Sequence, residues 1–118
     1  MILAANIMIG LVALLHIFFL VLEMFLWDKP FGLKIFHLTP EFAKASKSLA
    51  ANQGLYNGFL AAGLIWGLCF GTAGRDVKLF FLVCGIVAGL YGTYTVGRKI
   101  LFVQAIPAII ALALLLVS

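Results

Sequence analysis

Two ionisable side chains, His16 and Glu23, stand inside the first apolar segment of the sequence. They are seven residues apart, so an α-helix places both on one face, roughly 10 Å apart along its axis. A carboxyl group and an imidazole held together can move protons to and from a bound molecule. We therefore predict catalytic roles for both residues, with Glu23 as the proton donor or acceptor. For His16, a hydrogen-bonded packing residue is the alternative.

Amides, phenols and one guanidinium group form a second set of polar side chains in otherwise apolar sequence. Such groups are costly inside a membrane, so each one is a candidate for function. With Glu23 and His16 they would line a cup with hydrogen-bond donors and an apolar floor, which is typical of a small-molecule site. The predicted ligand-binding residues are Asn52, Gln53, Tyr56, Asn57, Tyr91, Tyr94, Arg98 and Gln104.

A purely structural role is the alternative for this polar set. Glu23 would then pair with Arg98 or with a loop lysine, and the amides would hydrogen-bond across helices. No second histidine has ligand spacing to His16, so no metal site is predicted. The sequence specifies no cofactor.

Composition indicates the medium that must hold these groups. The chain has 118 residues, of which 65% are hydrophobic and 10% are charged, and its mean hydropathy is +1.22. Soluble domains are about half apolar and one quarter charged, so a soluble globular protein is excluded. The net charge of +4 comes from basic residues in short loops, and no nucleic-acid motif accompanies them. We predict an integral membrane protein with membrane lipid, and no nucleic acid, as its partner.

Charges and turn residues divide the chain into apolar segments long enough to cross a bilayer. The predicted fold is an all-α, four-helix transmembrane bundle forming a single domain over residues 1–118. Its spans are about 2–27, 51–71, 79–97 and 100–118, with an interfacial segment at 28–50. The run Thr39-Pro40-Glu41 is a favourable helix start, and this helix could continue into the second span. Pro107 is expected to kink the fourth span.

Antiparallel threading of these spans places the predicted site residues on one side of the membrane. The opposite half is nearly all apolar, apart from Asn6 and two cysteines, Cys69 and Cys84, which we interpret as packing residues. Loops one and three carry six basic residues and loop two carries two. Because basic loops stay in the cytoplasm, both termini should face outward across the bacterial inner membrane.

Small residues recur at four-residue spacing in spans two and three, as at Gly54 and Gly58 and at Gly85 and Gly89. Such stripes let helices approach closely, which favours packing within the bundle. A homo-oligomer through these glycine-rich faces is the alternative.

Three blocks of sequence resemble a known family. They are Leu22-Glu-Met-Phe-Leu-Trp27, Leu49-Ala-Ala-Asn-Gln-Gly-Leu-Tyr-Asn-Gly58 and Gly97-Arg-Lys-Ile-Leu-Phe-Val-Gln104. They are similar to a family of small bacterial membrane proteins catalogued as domain of unknown function 1304. The resemblance covers essentially the whole chain and implies a four-helix membrane protein, without an activity or ligand.

Three functions are compatible with these patterns. The first is a pocket that binds, or acts by acid–base chemistry on, a small apolar or amphipathic molecule. The second is a proton-coupled small-molecule transporter, which is disfavoured because transport sites lie near the midplane and this polar layer lies to one side. The third is an accessory subunit whose glycine stripes dock a larger membrane partner. The one-sided polar layer favours the first, and the sequence leaves open whether the protein is an enzyme.

Overall fold

A computed structural model describes all 118 residues, and the chain is helical with short connections. A 3-10 turn at Gly71–Gly74 precedes the fourth helix. The helices are α1 (Ile2–Phe25), α2 (Pro30–Phe36), α3 (Pro40–Cys69), α4 (Arg75–Thr95) and α5 (Arg98–Leu116). The all-α class predicted from the sequence is confirmed.

The predicted start of α3 is confirmed in its details. The hydroxyl oxygen of Thr39 accepts a hydrogen bond from the Phe42 N–H at 3.2 Å, so it caps one free donor of the first turn. Pro40 occupies the first helical position, where its missing N–H costs nothing. From there α3 continues without a break for 30 residues. One helix therefore joins the end of the predicted interfacial segment to the predicted second span.

The last helix changes its winding along its length. Its first turn, Arg98–Ile100, is α-helical, Leu101–Ala105 is a π-helix, and Ile106–Leu116 is α-helical again. Pro107 lies just after the wider turn and has no N–H to donate to the preceding turn. The structure places a π-helical turn just before Pro107, and the kink expected there stays a prediction.

Three helical stretches are long and apolar enough to cross a membrane: α1, Gly71–Thr95 and α5. The protein accordingly has the helices of a membrane protein. Helix α3 is long enough but is not among these three, because Asn52, Gln53 and Asn57 make its middle more polar. The second predicted span, at 51–71, thus lacks the apolar character of the others.

The chain forms two compact units. One comprises Met1–Leu15 and Leu60–Ser118, and the other comprises His16–Phe59. The first unit has an apolar core. Its helices also approach closely, since a β-carbon at Gly89 would lie 2.8 Å from the β-carbon of Ala105. Small residues therefore pack helices within this unit, as predicted. Its fully buried core residues are Ala5, Ile9, Val12, Ala13, Leu64, Leu82, Ala108, Ala111 and Leu115.

Candidate functional site

The unit formed by His16–Phe59 contains six of the ten predicted site residues. Helix α1 contributes two of them and α3 contributes four. They are His16, Glu23, Asn52, Gln53, Tyr56 and Asn57.

Glu23 and Asn57 meet directly. The Asn57 side-chain Nδ2 donates a hydrogen bond to Glu23 Oε1 at 2.5 Å, and Asn57 is 5% exposed while Glu23 is half-buried. A carboxyl group has two oxygen atoms, so Oε2 retains acceptor capacity for another donor. The pair can therefore hold a polar group of a second molecule while Asn57 fixes the carboxyl orientation.

Two glycines of α3 bring the helices close enough for this bond. A β-carbon at Gly54 would lie 3.1 Å from Glu23 Cβ and 2.6 Å from Met24 Cγ. A β-carbon at Gly58 would lie 2.7 Å from Leu20 Cδ1. Because Gly54 and Asn57 are three residues apart, they occupy one face of α3. The glycine stripe thus places the Asn57 amide within reach of Glu23.

The other four predicted site residues of this unit differ in solvent exposure. His16 is 1% exposed, and its ring contacts that of Phe19 edge-on at a centroid distance of 6.4 Å. Asn52, Gln53 and Tyr56 have exposed side chains on the same stretch of α3. The first part of the predicted set is thus a half-buried carboxyl group bonded to a buried amide, with exposed amides and a phenol on the neighbouring turns of α3.

The remaining four predicted residues belong to the other unit. Tyr91 and Tyr94 project from the last turns of α4, and the side chain of Tyr94 is 88% exposed. Arg98 is exposed at the first residue of α5. Gln104 is half-buried within the π-helical turn. Such turns often occur at functional sites in other proteins.

The alternative in which a lysine of residues 28–50 pairs with Glu23 is wrong, because the ion pair of this segment joins Lys47, on α3, to Asp28. The other part of that alternative, an amide that hydrogen-bonds across helices, is present in the bond from Asn57 to Glu23. Lys47 Nζ lies 3.0 Å from Asp28 Oδ2. The hydrogen bond from Lys47 holds the pKa of the Asp28 carboxyl below its ordinary value of 3.8. Glu23 is instead bonded to the neutral amide of Asn57.

The connection between α1 and α3 is fixed by a second cluster around Trp27. The indole Nε1 donates to Ser46 Oγ at 3.0 Å, and the Trp27 ring lies 4.9 Å from the Phe36 ring, measured between centroids. Helix α2 ends at His37, whose φ of 54° is the left-handed conformation of a helix C-cap. The interpretation of Trp27 and Phe36 as packing groups agrees with these contacts.

Two polar residues that the sequence analysis left outside the spans make hydrogen bonds within the other unit. Lys78 is 1% exposed, and its Nζ donates to Asn6 Oδ1 at 3.0 Å. Arg75 Nη1 donates to the backbone carbonyl oxygen of Leu115 at 2.9 Å. Asn6 was the available signal, because a lone amide in an apolar helix needs a hydrogen-bond partner. No group of three or more His, Cys, Asp or Glu side chains in the chain could hold a metal ion.

Comparisons with known proteins agree with the resemblance seen in the sequence. The family model described as "Protein of unknown function (DUF1304)" matches residues 10–116. An uncharacterised protein, YpaA, from Lactococcus lactis is 34% identical over 104 residues, which cover 86% of this chain and 87% of that protein. No solved structure matches the chain.

Proposed function

The chain belongs to the DUF1304 family, and we propose that it is an integral membrane protein that binds a small apolar or amphipathic molecule at Glu23 and Asn57. In this proposal, Glu23 exchanges a proton with the bound molecule, and Asn57 orients the carboxyl group. The exposed side chains of Asn52, Gln53 and Tyr56 supply further hydrogen bonds.

The hydrogen bond between Glu23 and Asn57 is the observation that carries this proposal. A carboxyl group inside an apolar helix is costly and is usually kept for a function. The Asn57 amide satisfies one carboxyl oxygen and leaves the other for a ligand. Surrounding apolar residues, such as Leu20 and Met24, favour a ligand with an apolar body.

The experiment compares two Glu→Gln variants by native mass spectrometry in a mild detergent. Protein is purified from membranes and then exposed to a total bacterial lipid extract as the probe. A discrete bound mass should be present on the parent protein and on Glu41→Gln, whose residue is exposed on the first turn of α3, and absent from Glu23→Gln. Equal binding by all three proteins would refute the proposal.

The proposal includes a fourth membrane crossing by the second half of α3, in a bacterial inner membrane with loops one and three in the cytoplasm. Cys69 is exposed at the last residue of α3 and serves as a chemical reporter. In a Cys84→Ala background, a membrane-impermeant maleimide should label Cys69 in intact cells. A Ser48→Cys, Cys69→Ala protein should then be labelled only after lysis. Labelling of both positions from the same side would exclude this crossing.

A further inference from the structure

Lys78 places a cation in the interior of the unit formed by Met1–Leu15 and Leu60–Ser118. Its side chain is 1% exposed, and a neutral amide oxygen of Asn6 accepts one of its hydrogen bonds. An ammonium group has three N–H donors. Burial of a charge is costly unless an opposite charge or several hydrogen bonds compensate it. Lys78 therefore retains both donor capacity and uncompensated charge.

Arg75 is a second cation on the same face of α4, three residues before Lys78. It donates to the carbonyl oxygen of Leu115 from one of its nitrogen atoms, and a guanidinium group has five N–H donors. The neighbouring acidic residue, Asp76, is exposed and does not pair with either cation. The ion pair of the structure joins Asp28 to Lys47. Both cations are thus hydrogen-bonded to neutral oxygen atoms alone.

These two cations line one cavity of about 230 Å³. Hydroxyl groups and apolar side chains complete its lining. Helix α4 begins at Arg75, and the amino-terminal end of a helix carries a positive partial charge. The lining residues are Ile2, Thr72, Arg75, Lys78, Leu115 and Ser118.

The cavity lies where three membrane-capable helices have their ends. Ile2 begins α1, Arg75 begins α4, and Leu115 lies in the last turn of α5. The ends of transmembrane helices lie at the level of lipid headgroups, because the helices are matched to the hydrocarbon thickness. Basic pockets between such helices are suited to anionic headgroups.

We propose that this cavity binds a phosphate group, with Arg75 and Lys78 as its hydrogen-bond donors. Both side chains are common phosphate binders, Arg through its planar fork and Lys as a point charge. The negative charge compensates the two cations. The apolar side chains of Ile2 and Leu115 suit the glycerol and first acyl carbons of a phospholipid, whereas a soluble phosphate would use the polar groups alone.

The test measures lipid binding to the full chain by native mass spectrometry in a mild detergent. Phosphatidylglycerol is compared with diacylglycerol of the same acyl chains, which lacks the phosphate. We expect the parent protein to retain one phosphatidylglycerol and to release diacylglycerol. In Arg75→Gln and Lys78→Met the dissociation constant for phosphatidylglycerol should rise by about tenfold or more. Lys44→Met, which removes an exposed lysine of α3, is the matched control and should leave it unchanged.

Inorganic phosphate as a competitor distinguishes the two sources of the phosphate group. Retention of phosphatidylglycerol against millimolar phosphate supports a lipid headgroup, and its displacement supports a soluble phosphate. Equal binding of phosphatidylglycerol and diacylglycerol, or an unchanged dissociation constant in Arg75→Gln, would overturn the proposal. Because Arg75 is half-buried, this variant remains informative if Lys78→Met fails to fold.

Discussion

Gly54 lies directly opposite Glu23, and a β-carbon at position 54 would come within 3.1 Å of the β-carbon of Glu23. The same added atom would lie 3.2 Å from the backbone oxygen of Leu20 and 2.6 Å from Met24 Cγ. Real β-carbons rarely approach other atoms so closely. The absence of a side chain at Gly54 is therefore what allows α1 and α3 to place the carboxyl and amide groups in contact.

Gly54→Ala should destabilise the protein. The added methyl group must displace Met24 or separate the helices, and such overpacking costs about 1–3 kcal/mol. Unfolding in mixed micelles measures the change. Gly10→Ala is the matched control, because nothing lies within 4 Å of a β-carbon at Gly10. It should be neutral or slightly stabilising, and an equal loss in both variants would contradict the prediction.

The interaction between Glu23 and Asn57 should appear as a coupling energy. We expect about 0.5–2 kcal/mol in a double-mutant cycle of Glu23→Leu and Asn57→Ala, because each change alone removes the same hydrogen bond. The free energy of unfolding of the four proteins gives the coupling. Strictly additive effects would show that the bond does not contribute to stability.

The ion pair of Asp28 and Lys47 should make stability depend on pH. The pKa of Asp28 is lower in the folded protein than its ordinary value of 3.8, so the pair stabilises the fold above pH 3.8. This contribution is lost as the pH falls through the lowered pKa. Unfolding experiments at pH 7 and near pH 3 should therefore show a smaller acid destabilisation in Lys47→Gln than in the parent protein.

Lys44→Gln provides the control for this pH dependence. It makes the same change of charge on α3, but Lys44 makes no ion pair. Its acid destabilisation should match that of the parent protein. A parent-like response from Lys47→Gln would instead exclude the pair as the source.

His37→Gly should stabilise the protein modestly. His37 ends α2 with a φ of 54°, a left-handed conformation that costs about 1–2 kcal/mol for residues with a β-carbon. Glycine removes this cost but gains more freedom in the unfolded chain, so a net gain of less than about 1 kcal/mol is expected. Thermal unfolding measures this gain. In that assay His37→Val should destabilise the protein, because a β-branched side chain is poorly suited to this conformation.

The features that the sequence predicted well depend on local chemistry. The cap at Thr39 and the proline at Pro40 fix the start of α3 through contacts within one turn. This start can therefore be deduced without knowledge of the rest of the chain. The bond between Glu23 and Asn57 joins residues 34 apart, and the sequence placed both in one polar layer without identifying them as partners.

The features that the sequence analysis missed depend on distant or graded effects. Lys78 and Asn6 are 72 residues apart, and Lys78 resembles an ordinary loop lysine until α4 is seen to begin at Arg75. The exact winding of α5 was not foreseen either, because a proline signals a missing hydrogen bond but not how the backbone adjusts. Asn52, Gln53 and Asn57 lower the apolar character of α3 without shortening it.

The π-helical turn at Leu101–Ala105 also bears on how this sequence can change its length. A π-helical turn holds one residue more than the α-helical turn it replaces, so it is a position where a helix accommodates an extra residue. Removal of one residue from this turn could restore regular winding while Arg98–Ile100 and Ile106–Leu116 keep their own contacts. Single-residue deletions, which ordinarily rotate every following side chain of a helix by about 100°, should be tolerated here more readily than elsewhere in α5.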